Sequence, residues 1–495
     1  MRKLAAALSI ALTVSTVGIS SGILSAETTA VVAAEVTVEG KQLQAFEELK
    51  AMFTESVVLV DVKAKYATTV QADVQAANPE IDEKISAVID LGIEGHLSAG
   101  QVKQAVDKGL QWFFYTVITN YTKTDAKGAL VNGDTEAAKA ALDKAIELYK
   151  GSLDPTAGKR DSGFAKFDVK TQDLLNTIII PGLQKAVEDK DVLSFDLYRQ
   201  MFDKTLIKVF HLAALGYAEK IPTLTDEAAA KINVTEGYFF YMPIVNSLKG
   251  GNQEAAELIE KAFESGDPAQ IDPVQIKAAF AAALNGKVSG YVNKTIASME
   301  KGDLHAAQVT AMEGNMFVAA EEVLIKERLG DEAFVSVAAS AQNYFAAVAA
   351  GNIADAKLHS FDVLKVVSQL DGVQLKVSSN TLTVNGDEKT VDAQAYINAK
   401  TNRTLVPTRA IAEALGAEVD YVAETKTVVI KKNRSVTELV VGSSAVVQDG
   451  KVNEDLTLDQ AVEIKNGRAF IPLRAVAELF GNKVFYSKQE IVIVK

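Results

Sequence analysis

The sequence predicts a multidomain chain: a large all-α helical domain over about residues 40–370, followed by two small α+β repeats of strand-helix-strand form, 371–432 and 433–495. Three observations predict it. Residues 405–421 (LVPTRAIAEALGAEVDY) and 470–486 (FIPLRAVAELFGNKVFY) match, with Pro407/Pro472, Arg409/Arg474, Gly416/Gly481 and Tyr421/Tyr486 each 65 residues apart. Before residue 370, alanine-rich segments with apolar residues three and four apart alternate with short Gly-Asp or Gly-Asn breaks. Within each copy, alternating apolar positions flank a short helical stretch.

In chain order, the first element is an export signal. Met1-Arg2-Lys3 supplies a basic start, residues 4–24 are uncharged and mostly apolar, and Leu24-Ser25-Ala26 or Val32-Ala33-Ala34 offers a small-residue cleavage site. The expectation is a signal peptide over 1–26, with cleavage as late as 34, and an extracellular mature chain. Polar and small residues within the stretch, such as Ser15, Thr16, Gly18 and Ser20, favour a cleaved signal over an anchor. No later segment is apolar enough to span a bilayer. The chain has no cysteine, which excludes disulfides, a thiol nucleophile, zinc–thiolate sites and lipid attachment to cysteine.

The helical reading rests on segments such as 136–149, 253–264 and 318–327. Breaks fall at Gly133-Asp134, Gly251-Asn252, Gly302-Asp303 and Gly351-Asn352, each placing a good N-cap before the next helix. An alanine follows each of these glycines by five positions: Ala138, Ala256, Ala307 and Ala356. The last three breaks suggest a helical-hairpin unit of roughly 50 residues, loosely repeated. Residues 132–155 (NGDTEAAKAALDKAIELYKGSLDP) resemble the second helix of a tetratricopeptide repeat, without that family's sustained period of about 34 residues. An α-solenoid and an irregular multi-helix domain both stay open.

Charge separates the two parts. The chain carries 51 Lys+Arg against 64 Asp+Glu, a net charge of −13. The repeats hold 16 of each sign, so the acidic excess lies in the helical domain. Nucleic acid as a partner is thereby excluded, because it demands clustered basic residues.

Candidate chemistry in the helical domain is sparse. The four histidines, His96, His211, His305 and His359, form no His-x-x-x-His or Glu-x-x-His pair. The best metal constellation is His305, Met312 and Met316, which share one helix face and suit a soft ion such as Cu(I). The rise of about 10 Å from His305 to Met312 is long for one ion, and core packing is the competing reading for the methionines. His211, Tyr217 and the aromatic run 237–241 suit a haem or ligand pocket or, more simply, an aromatic core. Glu94, Glu236 and Glu313 each precede a glycine and are candidate inward carboxylates. Neither a Gly-x-Ser-x-Gly, nor a His-Glu-x-x-His, nor a phosphate-binding Gly-x-x-x-x-Gly-Lys-Ser/Thr motif occurs.

In the repeats, Pro407 and Pro472 suit the first helical turn, and Gly416 and Gly481 supply the left-handed residue that ends a helix of about two turns. Asn385-Gly386 and Asp449-Gly450 are type I′ hairpin signals in corresponding places. Arg409 and Arg474 each have a glutamate four residues on, Glu413 and Glu478, the spacing of a weak intrahelical ion pair. A grip on a polyanionic or glycan partner is the alternative reading for these arginines.

These repeats resemble the stalk domain of exported proteins of Gram-positive bacteria, also known as the copper amine oxidase N-terminal-like domain. Its hallmark, N-G-R-x-L-V-P-x-R-x-h-A-E-x-L-G with h apolar, is matched at 466–481, and at 402–416 without the first glycine. The resemblance implies a surface-display architecture and no oxidase activity. The oxidase's cofactor-forming tyrosine setting, Thr-x-x-Asn-Tyr-Asp/Glu, is missing: Asn120-Tyr121 is followed by Thr122 and Asn343-Tyr344 by Phe345, and no histidine follows His359.

The function expected from the sequence is that of an exported, non-enzymatic surface or cell-wall-associated protein. It displays a helical domain on tandem stalk repeats, with a cell-wall polymer or surface protein as partner and no cofactor. The alternatives are a secreted carrier of a metal ion or haem, and an uncharacterised extracellular enzyme. Oligomeric state is not legible.

Overall fold

The computed structural model describes residues 37–494, apart from the side chains of 476–478; the expected signal segment lies outside the described residues. Helices fill the chain from Val38 to Val367. Their framework is α1 (Ala99–Asn120), α2 (Val192–Lys220), α3 (Glu227–Tyr241), α4 (Gln253–Glu264), α5 (Pro273–Glu300), α6 (Leu304–Ala320), α7 (Asp331–Ala349) and α8 (Ile353–Val367).

The four expected breaks cap helices in one way. Asp134, Asn252, Asp303 and Asn352 each accept a hydrogen bond from the backbone N–H three residues on, which satisfies a donor the helix cannot. Ala138, Ala256, Ala307 and Ala356 then enter the core fully buried, where only a small side chain fits. Gly133, Gly302 and Gly351 take positive φ, but Gly251 does not. A Cβ on Gly251 would meet the Ala283 carbonyl oxygen at 2.0 Å, and one on Gly286 would meet the Gly251 carbonyl oxygen at 2.2 Å. Here glycine lets the chain before α4 cross the α5 backbone.

The 29-residue α2 is the hub of the helical body. It packs against α3, α5 and α6 and also against the helices Asp154–Gly163 and Ile180–Glu188. In a solenoid each unit touches only its neighbours, whereas one apolar core here runs from Ala45 to Val367. The irregular multi-helix architecture is therefore the observed one. The helix Thr135–Ser152, inside the tetratricopeptide-like stretch, packs on Val38–Ala51 and the π-turn Tyr121–Ala126.

The first copy of the duplicated region supplies β1 (Gly372–Lys376), β2 (Thr381–Val384), β3 (Asp387–Thr390), β4 (Tyr396–Asn398), β5 (Arg403–Pro407), α9 (Thr408–Ala414), β6 (Glu418–Val422) and β7 (Thr427–Lys432). The second repeats the series as β8 (Ser435–Val440), β9 (Ala445–Gln448), β10 (Lys451–Thr457), β11 (Glu463–Lys465), β12 (Arg468–Pro472), α10 (Leu473–Leu479), β13 (Lys483–Ser487) and β14 (Glu490–Val494).

The copies do not stand one after the other. The sheets run β13-β14-β1-β2-β3, β6-β7-β8-β9-β10 and β11-β12-β5-β4. Each five-stranded sheet thus joins the opening three strands of one copy to the closing two of the other. The four-stranded sheet joins the copies symmetrically, with Ile471 opposite Val406. The sequence picture of serial units gives way to one interlocked domain whose core, Val373 to Ile493, draws on both copies.

Two local expectations meet different outcomes. Asn385-Gly386 and Asp449-Gly450 all have positive φ, as type I′ turns require. Pro407 and Pro472, by contrast, end strands rather than occupy the first helical turn. Pro407 is extended and caps α9, because the missing N–H costs little at the last rung of a strand.

The interlocked domain is docked on the helical body. Val492 and Val494 of β14 belong to the helical core. Lys483 Nζ donates to the Gly286 carbonyl at 3.0 Å and to Ser289 Oγ at 3.2 Å. Lys365 pairs with Glu490 at 2.9 Å, and Asn285 Nδ2 reaches the carbonyls of Val367 and Asp371 at the crossing point.

Gly251→Ala is expected to lower stability by about 3 kcal/mol, because the new methyl meets backbone that cannot turn aside. Gly302→Ala, which has open space around it, should cost only about 1 kcal/mol for its backbone conformation. Urea unfolding of both variants checks this, and equal losses would contradict the close crossing.

Candidate functional site

Among the buried ionisable clusters of the helical body, which include Lys208–Glu322–Lys326 and Asp196 with Lys127 and Arg199, two share the same design. In the first, Lys108 of α1 lies 2.6 Å from Asp107 and 3.4 Å from Glu236 of α3. In the second, Lys204 of α2 lies 2.5 Å from Asp203 and 3.4 Å from Glu313 of α6. Beside each lies a stacked aromatic pair: Tyr217 on Phe240 at 5.9 Å, and Tyr291 on Phe317 at 5.7 Å. A second cation covers each pair, Arg160 in the first and Lys287 in the second. The body therefore contains an internal repeat, α1/α3/α2 against α2/α6/α5, in which α2 serves both halves.

The electrostatics are closed. Burial alone would raise the Asp203 carboxyl and lower the Lys204 ammonium, but their pairing, with Glu313 and the Tyr115 hydroxyl, reverses both shifts and keeps both charged. Lys287 is pushed down to about 8, first by burial and then by Lys204 and Lys294. Glu236 and Glu313, candidate inward carboxylates, do point inward, each onto its own lysine. Glu94 stands apart and exposed beside His96. The lysines and the aspartates preceding them were missed in the sequence, where an Asp-Lys dipeptide on a helix looks like ordinary solvated surface. Unequal spacings, 96 residues between the Asp-Lys pairs and 77 between the Glu-Gly pairs, hid the repeat.

The proposed metal set does not converge. His305 is half-exposed and turns to Asp196, 3.0 Å away, at the start of α6. Met312 and Met316 are buried and line, with Met201 and Phe334, a cavity of about 40 Å³ that His305 does not reach. Among the described residues, no group of three histidines or carboxylates is placed to hold a metal ion. His211 is fully buried against Phe280, with ring centroids 4.5 Å apart. Burial first, and then Lys208, lowers its pKa to about 3. Tyr217 and the run 237–241 pack on each other and on the core, with Tyr241 donating to the Ala256 carbonyl.

The open site lies in the interlocked domain. A groove of about 800 Å³ is floored by Leu382, Val384 and Val428 and walled by α9, β6 and the end of β3. The second copy completes it with Ile464 and Arg468. Asp392 of the first copy takes Arg468 of the second in a two-pronged contact at 2.7 Å. Asp420 is occupied by Lys431 at 3.0 Å.

Arg409 is the recurrent arginine of the duplicated motif. Its expected partner Glu413 is 3.9 Å away and both are exposed, a pairing of little energetic weight. Its firmer contact was not foreseen. Nη2 donates to the Val419 carbonyl at 3.3 Å, on the side of β6 that has no neighbouring strand. The arginine thereby ties α9 to an open sheet edge. Arg474 is exposed at the equivalent position, where Glu478 lies outside the described side chains.

Comparison with known proteins agrees with this division. Residues 383–494 match the family described as Copper amine oxidase N-terminal domain. No curated protein and no solved structure matches the chain. The recognised region is thus the one that carries the groove. No helix among the described residues is long and apolar enough to cross a membrane.

The His211 environment sets a pH dependence. An imidazole held neutral down to about 3, against 6.5 unfolded, contributes stability that is complete above pH 6.5 and is lost as pH falls toward 3. Substituting His211→Phe should flatten the stability–pH curve in that window, by as much as about 1.4 kcal/mol per pH unit. Urea midpoints between pH 7 and pH 4 check this, and parallel acid limbs in the two proteins would contradict it.

Proposed function

We propose that the chain is an exported, non-enzymatic surface or wall-associated protein, in which the interlocked C-terminal domain attaches and the helical body is displayed. The observation that carries the reading is the contrast between the two parts. The two carboxylate–lysine constellations of the helical body are internally neutralised, whereas the C-terminal domain holds an open groove of about 800 Å³ with exposed arginine and tyrosine on its walls. Volumes of this size are those of ligand-binding clefts. The match of residues 383–494 to an N-terminal rather than a catalytic oxidase domain supports a binding role. The basic start and apolar stretch at the head of the sequence support export.

Attachment through the groove implies affinity for insoluble wall material. The full mature chain, mixed with purified sacculi and centrifuged, should pellet with them and be released by high salt or soluble wall polymer. Protein that stays wholly in the supernatant would refute the reading.

A further inference from the structure

The two copies record which surface positions were kept while the rest diverged. Core positions must stay apolar in both, so their agreement reflects packing. Surface positions are freer of that demand, and several differ: Glu388 against Val452, Val422 against Ser487 and Asn398 against Lys465, whereas Lys483 and Phe485 replace Glu418 and Asp420 where the second copy packs on the helical body. A small exposed set is the same in both. Arg409 and Arg474, Tyr421 and Tyr486, and Ile397 and Ile464 correspond, and Tyr421 and Tyr486 are 45% and 52% exposed.

The ion pair is also kept, and it crosses between copies: Arg468 binds Asp392, and Arg403 binds Asp459. Packing explains neither an exposed tyrosine nor an exposed isoleucine. Members of the set from both copies border one groove, with Tyr421 and Arg409 of the first copy on one wall and Ile464 and Arg468 of the second on the other.

We infer that this groove binds an anionic glycan, a sugar polymer carrying carboxylate or phosphate groups, and that the equivalent residues of the second copy form a second, weaker contact for the same chain. The inference rests on the attachment reading and names its ligand class.

The chemistry follows from what remains unspent. Asp392 and Asp420 are consumed by Arg468 and Lys431, so the cationic groups left for a ligand are the guanidinium of Arg409, only loosely held by Glu413 on the same wall, and the ammonium of Lys389. Arg409 uses one N–H on the Val419 carbonyl and keeps others for an anion, which a guanidinium binds in a fork. The exposed Tyr421 ring offers a π face, electron-rich at its centre, to the C–H face of a sugar ring. Domain-wide charge is balanced, so recognition is local and not a field effect. Two equivalent contacts on one rigid domain suit a repeating polymer, whose second engagement is intramolecular.

The test is binding of the full mature chain to polygalacturonate and to a phosphate-bearing mannan, with neutral dextran and poly-L-glutamate as comparisons. Binding to at least one of the first two is expected, and which one binds identifies carboxylate or phosphate as the anion. Dextran and poly-L-glutamate should bind at least about tenfold more weakly, because each lacks one half of the recognised chemistry. Tyr421→Ala and Arg409→Gln should each weaken binding about tenfold, and Tyr421→Ala with Tyr486→Ala should weaken it further.

Tyr421→Ala, at an exposed ring outside the core, keeps the test valid if Arg409→Gln loosens β6. Equal binding of poly-L-glutamate, indifference to Tyr421→Ala, or no binding to either anionic glycan would each overturn the inference. Sedimentation with sacculi separates it from the reading beneath. If the double tyrosine variant still pellets while neither anionic glycan binds, attachment stands and the groove's ligand is wrong; if the wild-type chain does not pellet, attachment itself fails.

Discussion

Strand exchange between the two copies is the constraint on which the C-terminal half depends. A single copy owns a three-stranded meander, a two-stranded arm, a two-turn helix and a closing hairpin, too little to bury a core of its own. Pairing β7 with β8 and β14 with β1 turns two such incomplete units into two five-stranded sheets over one apolar interior. The rest follows from that topology. The groove gains its second wall because Ile464 and Arg468 are carried across to Asp392, and β14 reaches the helical body because it lies inside a sheet rather than at the end of a tail.

The helical body solves a different problem with charge. Long helices crossing at α2 bury lysines and carboxylates along with their apolar faces, and a lone buried charge is strongly destabilising. Grouping Asp107, Lys108 and Glu236, and again Asp203, Lys204 and Glu313, satisfies each charge within the body. Glycines at 237 and 314 let the helices approach: a Cβ on Gly237 would sit 2.3 Å from the Phe263 ring, and one on Gly314 3.2 Å from the Tyr291 Cβ. His211 needs no partner charge because burial keeps it neutral.

What the sequence revealed was local. The N-caps at Asp134, Asn252, Asp303 and Asn352 and the hairpins at Asn385-Gly386 and Asp449-Gly450 were legible because each is decided by neighbouring residues. β1 and β8 were missed: short alternations such as Val373, Leu375 and Val377 are faint beside polar neighbours. Their pairing was illegible in principle, since β1 meets a strand more than a hundred residues away and nothing in a strand names its partner. Helical periodicity placed His305, Met312 and Met316 on one face, but not that the imidazole would stay in solvent on Asp196 while the thioethers went inside. The groove was half legible: Arg409 stood out by its recurrence, yet its contact with Val419 and its second wall depend on the exchange.

Because the chain has no cysteine, engineered pairs report strand neighbours without interference. Lys376 of β1 lies opposite Glu490 of β14, whereas a copy closed on itself would place Lys376 opposite Thr427 of β7. Oxidation of the monomeric full chain should link Lys376→Cys with Glu490→Cys rapidly and within one chain, and leave Lys376→Cys with Thr427→Cys unlinked. A link at 376–427, with none at 376–490, would contradict the interlock and everything built on it.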